Sequence, residues 1–141
     1  MHRDEAIAEG LSRLTRWAVR TSPQQMSMTS ISTLSTLAAG PLRISELAER
    51  EGTAQPGMTA LVNRLAKSGY VLRATDPSDG RATLVHLTAD GERVLAERRA
   101  ARAAALRAQI ETLPDEHRAA LANALPAIEY LTAGFDKPRT P

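Results

Sequence analysis

The sequence predicts a mainly α-helical fold carrying one small β-hairpin, and three observations lead there. Apolar residues recur at helical spacing along most of the chain, the period changes to two only around residues 70–88, and Pro, Asp and Gly interrupt that stretch in its middle. With 141 residues and 43% hydrophobic content, the chain can bury one real core and falls short of two ordinary domains, so a single domain over residues 1–141 is expected.

Ile7, Leu11, Leu14 and Ala18 recur at steps of four, three and four, which makes them one stripe of a helix over residues 4–20. The segment "TSPQQMSM" ends that helix. Thr29 is the expected cap of a second one carrying Ile31, Leu34, Leu37 and Ala38, stopped by Gly40 and Pro41. In "SELAEREG", Ser45 suits an N-cap, Glu46 and Glu49 lie near the positive end of the dipole, and Gly52 is the exit. In "QPGMTALVNRLAKSGY", Pro56 suits a first turn and Gly69 the position just past a helix end. Met58, Leu61, Val62 and Leu65 share one arc of that helix, leaving Thr59, Ala60, Asn63, Arg64 and Lys67 on a polar, basic face without a carboxylate. Two helices joined by only a few residues around 52–54 read as a helix-turn-helix.

Next, "YVLRAT" and "ATLVHLT" alternate as two strands around "DPSDGR". A hairpin directly behind a helix-turn-helix is a wing, and Arg81, expected at its tip, can reach into a DNA minor groove. Thr88 then caps a long helix rich in Ala, Arg and Glu. Pro114 starts a last helix through Leu121, Leu125, Ile128 and Leu131, which Pro126 should kink or interrupt. The parts are therefore a winged helix-turn-helix core over residues 29–88, flanking helices over 4–20 and 89–133, and a flexible tail over 134–141. A compact winged core cannot cover the apolar stripes of the terminal helices, so a second copy is expected to bury them, making these the dimerisation helices of a homodimer.

Charge sharpens this reading. Eighteen Lys and Arg against 16 Asp and Glu give only +2, but the distribution is uneven. No acid lies between Glu9 and Glu46, where Arg13, Arg16, Arg20 and Arg43 stand, and none lies between Glu51 and Asp76, where Arg64, Lys67 and Arg73 stand. Without cysteine there is no disulfide framework, thiolate metal site or thiol switch. The N-terminal segment lacks an apolar signal region, and no apolar run approaches the ~20 residues of a membrane span, so no membrane association and a cytoplasmic location are expected. An enzyme would need a nucleophile with its base, paired catalytic carboxylates or a glycine-rich phosphate loop, and none of these is recognisable. His2, His86 and His117 are isolated from one another, so neither a metal nor another cofactor is expected.

The stretch "SELAEREGTAQPGMTALVNRLAKSGYVLRATDPSDGRATLVHLTADG" resembles the core of the MarR family of bacterial transcription regulators, most specifically in "DPSDGR" followed by "LT" and Gly91. The helix order on both sides also fits. The resemblance implies a homodimer in which the first and the last two helices interlock, binding double-stranded DNA at a pseudo-palindromic operator, with a small aromatic or anionic effector weakening that binding. It places Thr59, Asn63 and Arg64 on recognition-helix positions and matches Asp79 and Arg81 to the family's Asp-x-Arg of the wing. Two positions depart: Ala54 stands where a Ser often caps the recognition helix, and Ala60 where many relatives carry Arg. Cysteine-based peroxide sensing, known in part of the family, is impossible here.

The candidate DNA-binding set is thus Gln55, Thr59, Asn63, Arg64, Lys67, Arg73, Asp79 and Arg81. Each residue also has a plainer use: Arg64 as a solvated surface charge, Lys67 as a partner of its helix's C-terminal dipole, Arg81 as the closing partner of Asp79. Asp79 would repel phosphate, so its expected service is to orient the Arg81 guanidinium. Arg16, Trp17, Arg20 and Met28 are candidate effector contacts, against the alternative that they are ordinary core and surface. The competing functional class is a winged helix that serves architecture or protein binding without specific operator recognition, since fold alone does not dictate DNA binding.

Overall fold

A computed structural model describes residues 2–21 and 26–133, so the expected tail over 134–141 lies outside the described residues. The element order is α1 (Arg3–Thr21), α2 (Met28–Leu37), β1 (Leu42–Arg43), α3 (Ile44–Glu51), α4 (Gln55–Lys67), β2 (Val71–Asp76), β3 (Asp79–Leu87), α5 (Ala89–Glu111) and α6 (Asp115–Thr132). The chain divides into two compact units, residues 23–100 and residues 1–22 with 101–141.

In the first unit, α2, α3 and α4 close around a core of Leu34, Leu37, Leu47, Ala48, Met58, Leu61, Val62 and Leu65, joined by Val71, Val85 and Leu95. The four apolar residues of α4 expected on one arc are all buried. Glu51 draws α3 against α2: its two carboxylate oxygens accept the hydroxyls of Ser32 and Thr36, each at 2.6 Å. These hydroxyls stand one helical turn apart, so a single carboxylate reaches both.

Two caps differ from expectation. The cap of α2 is Ser27, whose hydroxyl accepts Ser30 N–H at 3.1 Å, and Thr29 lies inside the first turn. The cap position of α3 is Arg43, not Ser45. The Glu46 carboxylate reaches back to Arg43 N–H at 2.8 Å, half of a capping box, while Arg43 is held in a β-bridge. The exits of α3 and α4 are as expected, whereas α2 ends at Leu37 with Ala38 as its cap, and Gly40 sits at φ 144° rather than in the left-handed helical region. Gly52 sits at φ 64° and Gly69 at φ 83°, left-handed positions that favour glycine, and Tyr70 N–H closes onto Leu65 C=O at 3.0 Å.

The sheet has three antiparallel strands in the order β1-β3-β2; the two-residue β1 adds to the expected hairpin. Thr88 joins wing to scaffold. Its hydroxyl donates to Gly69 C=O at 2.6 Å and accepts Gly91 N–H at 3.1 Å, while its own N–H reaches Tyr70 C=O at 3.1 Å. Gly91 is there for space: a Cβ would collide with the Tyr70 carbonyl oxygen and lie 2.5 Å from Leu87 Cδ1. In the second unit α6 runs unbroken through Pro126, so that proline does not interrupt the helix and costs it one backbone hydrogen bond. Its cap position is Pro114, whose C=O takes the N–H groups of His117 and Arg118.

Gly91→Ala is expected to lower stability by about 1–3 kcal/mol, because the Tyr70 backbone cannot move aside cheaply. Gly57→Ala, where a Cβ meets nothing within 4 Å, is expected to raise stability by roughly 0.5–1 kcal/mol. Thermal melts of both variants check the contrast.

Candidate nucleic-acid interface

With Met58, Leu61, Val62 and Leu65 turned inward, α4 presents Gln55, Ala60, Asn63, Arg64 and Lys67 to solvent, with Thr59 half-buried beside them. No carboxylate lies on this helix, and Arg64 and Lys67 fall in its last turn. Its first turn starts from Ala54 with no side-chain cap, as that residue requires, and Pro56 takes a place where no N–H is needed. The Thr59 hydroxyl donates back to Gln55 C=O at 3.0 Å, leaving its lone pairs as acceptors.

Arg73 on β2 donates to the Asn63 side-chain oxygen. A guanidinium can only donate, so this bond fixes which end of the amide faces Arg73 and leaves the Asn63 NH₂ to face outward. Two of the expected DNA contacts are therefore one linked pair, joining recognition helix and wing.

The wing differs from expectation in its turn. The turn itself is Pro77–Ser78, and β3 already begins at Asp79. Thr75 pairs with Thr83 but Asp76 pairs with Asp79, so residues 80–82 bulge out of the ladder. Arg81 stands in this bulge, exposed, rather than at the tip. Asp79 does not hold the Arg81 guanidinium: its carboxylate accepts the Arg81 backbone N–H at 3.0 Å, an Asx-type turn that shapes the bulge. Among the described residues, Arg81 takes part in no ion pair.

Sequence reasoning missed the best-made polar cluster of the wing. Asp76 is only 6% exposed. Its Oδ2 accepts Arg43 Nε–H at 2.7 Å and forms an ion pair with Arg43 Nη2 at 2.7 Å, and its Oδ1 accepts Ser78 N–H at 2.9 Å and Ser78 Oγ–H at 2.8 Å. The Ser78 backbone bond, then the Ser78 hydroxyl, then Arg43 hold this carboxyl below its ordinary pKa, against the opposing pull of burial. The sequence signal is faint: Asp-Pro-Ser announces the Asx turn, but nothing local announces an arginine 33 residues upstream.

Of the candidate effector contacts, Arg16 and Arg20 are exposed on α1 with Trp17 half-buried between them, and Met28, at the start of α2, is half exposed with its sulfur 3.9 Å from Arg98 Nη2. Among the described residues no three acidic or histidine side chains gather as a metal group, and no helix is long and apolar enough to cross a membrane.

A short helix, a three-residue turn, an acid-free second helix and a bulged, arginine-bearing hairpin define a winged helix-turn-helix of the DNA-binding class. Residues 26–83 match the MarR family. The HTH-type transcriptional regulator MT0903.1 of Mycobacterium tuberculosis is 36% identical over 115 residues, covering 81% of this chain and 79% of that one. The chain belongs to the MarR family, and is a DNA-binding transcription regulator rather than an enzyme. Its fold is shared by the transcriptional regulator Tm0710 of Thermotoga maritima, with TM-score 0.81 at 23% identity over 94% of this chain and 99% of that one. It is also similar to the PcaV regulator of Streptomyces coelicolor, solved with its natural ligand, with TM-score 0.57 at 21% identity over 89% and 91%.

The Asp76 bonds carry a pH consequence. A carboxyl whose folded pKa is depressed adds stability above its unfolded value of about 3.9 and loses it as pH falls through the lower, folded value. An NMR titration of Asp76 is therefore expected to give a midpoint below about 3.9. A midpoint at or above that value would show that the Ser78 and Arg43 bonds are not kept in solution.

Proposed function

We propose that the chain acts as a homodimeric repressor on a pseudo-palindromic double-stranded operator, relieved by a small aromatic or anionic ligand. The observation that carries the DNA reading is the outward face of α4, where Asn63, Arg64 and Lys67 are exposed on a helix without a carboxylate. Arg64 is the base reader in this reading, since a guanidinium can meet guanine O6 and N7 with two bonds at once, and the Asn63 amide and Thr59 and Gln55 beside it contribute polar contacts. Lys67 and Arg73 serve the phosphates, and Arg81 enters the adjoining minor groove, where narrow A·T-rich segments concentrate negative potential. Asp79 contributes by shaping the bulge that carries Arg81.

Two further observations support the dimer and the effector. Ile7, Leu11, Leu14, Leu121, Leu125, Ile128 and Leu131 each remain between 37% and 70% exposed, a large apolar surface on terminal helices that a second copy would bury. The ligand complex of PcaV, a protein of similar fold, motivates the effector. Arg16 and Arg20 are the proposed anion contacts, with Trp17 beside them on α1, and Met28 on α2 is proposed separately as an apolar contact. A ligand relieves repression only through unequal affinity for the DNA-competent and incompetent arrangements.

Operator selection followed by binding over a salt series tests this. Arg64→Ala is expected to cost about 1–3 kcal/mol on the selected operator and to relax its sequence preference. Arg81→Ala is expected mainly to flatten the salt dependence and the preference for A·T flanks. Equal binding of wild type and Arg64→Ala to selected and scrambled duplexes would remove the base-reading role.

Sedimentation is expected to show a dimer at micromolar concentration, and the selected operator two half-sites about 10 bp apart centre to centre. A folded monomer would end the dimer reading. Titration with a panel of aromatic acids is expected to yield at least one that lowers operator affinity; a flat response across the panel counts against the effector.

A further inference from the structure

We infer that Arg43 and Asp76 form a clasp that positions the wing, setting where Arg81 meets the duplex. This rests on the DNA reading above and adds to it two residues outside the recognition helix and the Asp-x-Arg of the wing. Asp76 is the last residue of β2, at the point where the ladder jumps from Thr75–Thr83 to Asp76–Asp79 and throws residues 80–82 outward. Arg43 is the cap residue of α3, the first helix of the helix-turn-helix, and is also paired with Leu84 in the β1–β3 bridge. The Nε–H bond between them at 2.7 Å, with Nη2 paired to the same oxygen at 2.7 Å, thus ties the root of the bulge to the start of the helix pair. A planar guanidinium that donates Nε–H and brings Nη2 against the same oxygen restricts orientation as well as distance, which a single ammonium contact does not.

The bonding around the carboxylate is saturated in a way that favours placement over surface decoration. Asp76 receives Arg43 on one oxygen and the Ser78 N–H and hydroxyl on the other, and Arg43 Nη2 also approaches Ser78 Oγ at 3.5 Å. Strand end, turn and helix start are therefore one hydrogen-bonded knot. Arg43 keeps its own backbone N–H on Glu46, so the knot is anchored in α3 itself. A hairpin with a three-residue bulge and no such knot would be free to swing about its β2–β3 stem, and Arg81 would have to be ordered on binding at the expense of affinity.

Two plainer roles make opposite or separable predictions. If the charges acted only through their field, Asp76→Asn would remove a negative charge near the phosphates and tighten binding. If Asp76 merely stabilised the fold, its loss would lower the melting temperature without touching the contribution of Arg81. A positioning role requires that Asp76→Asn weaken operator binding and abolish the effect of Arg81→Ala.

The test is a double-variant cycle on operator affinity at fixed salt, well below the melting temperature of every variant, with hydrogen exchange of residues 77–82 measured on the free protein. Arg81→Ala is expected to weaken the wild type by about tenfold, the scale of one lost contact. In an Asp76→Asn background the same change is expected to matter by less than about twofold, within the error of additivity. Asp76→Asn alone is expected to weaken binding, flatten the salt slope as Arg81→Ala does, and speed exchange across the bulge. Arg43→Lys keeps the charge but not the planar guanidinium or its Nε–H, and is expected to reproduce these losses if Asp76→Asn does not fold. Unchanged or tighter binding by both variants, or losses from positions 76 and 81 that simply multiply, would overturn the clasp while leaving DNA recognition standing. A wild-type protein that binds no duplex at any salt would overturn both, and is told apart because no affinity cycle can then be drawn.

Discussion

The roll of α4 about its own axis is the constraint on which the remaining arrangement depends. Met58, Leu61, Val62 and Leu65 are each worth about 1.5–3 kcal/mol when taken out of water, and all four are buried. Turning the helix by one residue, about 100°, would expose most of them and drive Asn63 or Arg64 into the core without partners. No local preference of a polar side chain approaches that penalty. The basic face of α4 is therefore outward because the apolar face is inward, and its acid-free composition then decides what it can meet. An overall charge of +2 hides this: the chain is nearly balanced as a whole and locally one-signed where α4 faces solvent.

Elements governed by near neighbours were legible in the sequence, and those governed by distant ones were not. The helix-turn-helix, its two glycine exits and the Thr88 cap all follow from spacing and from residues with one strong conformational use. The caps were misplaced because Thr29 and Ser45 are as suitable chemically as Ser27 and Arg43. What decided between them was the β-bridge at Arg43 and the reach of Glu46, neither of which is a property of a window of sequence. A two-residue strand such as β1 has no period to detect. The hairpin was placed correctly, but a bulge of three residues moved Arg81 away from the tip. Asp79 was expected to serve the side chain of Arg81 and instead serves its backbone, the commoner habit of an aspartate two residues before a free N–H. Most of the candidate α4 surface was thus visible beforehand, whereas the Arg43–Asp76 contact, joining residues 33 apart, was not.

The acidic residues near the DNA-facing elements show how a carboxylate can be kept from opposing a polyanion. Asp76 is buried under a guanidinium and two Ser78 donors, Asp79 is occupied by a backbone N–H, and Glu51 is closed by the hydroxyls of Ser32 and Thr36. Each is used as an acceptor that shapes a turn or joins two elements. The charge that remains unpaired in the Arg64–Lys67 turn and at Arg81 is positive.

These same bonds bear on how such a reading head could be controlled. Within residues 23–100, the wing is tied to the start of α3 by Arg43–Asp76, to the middle of α4 by Arg73–Asn63, and to the end of α4 by Thr88–Gly69. A ligand that tried to move the wing relative to the recognition helix would have to break several well-made bonds at once, each requiring its own compensation. Displacing two whole heads relative to one another breaks none of them. Packed units change by rigid-body motion more readily than by internal deformation. If the proposed homodimer and effector hold, relief would therefore come more readily from a change in the separation of two intact heads than from a change within either one.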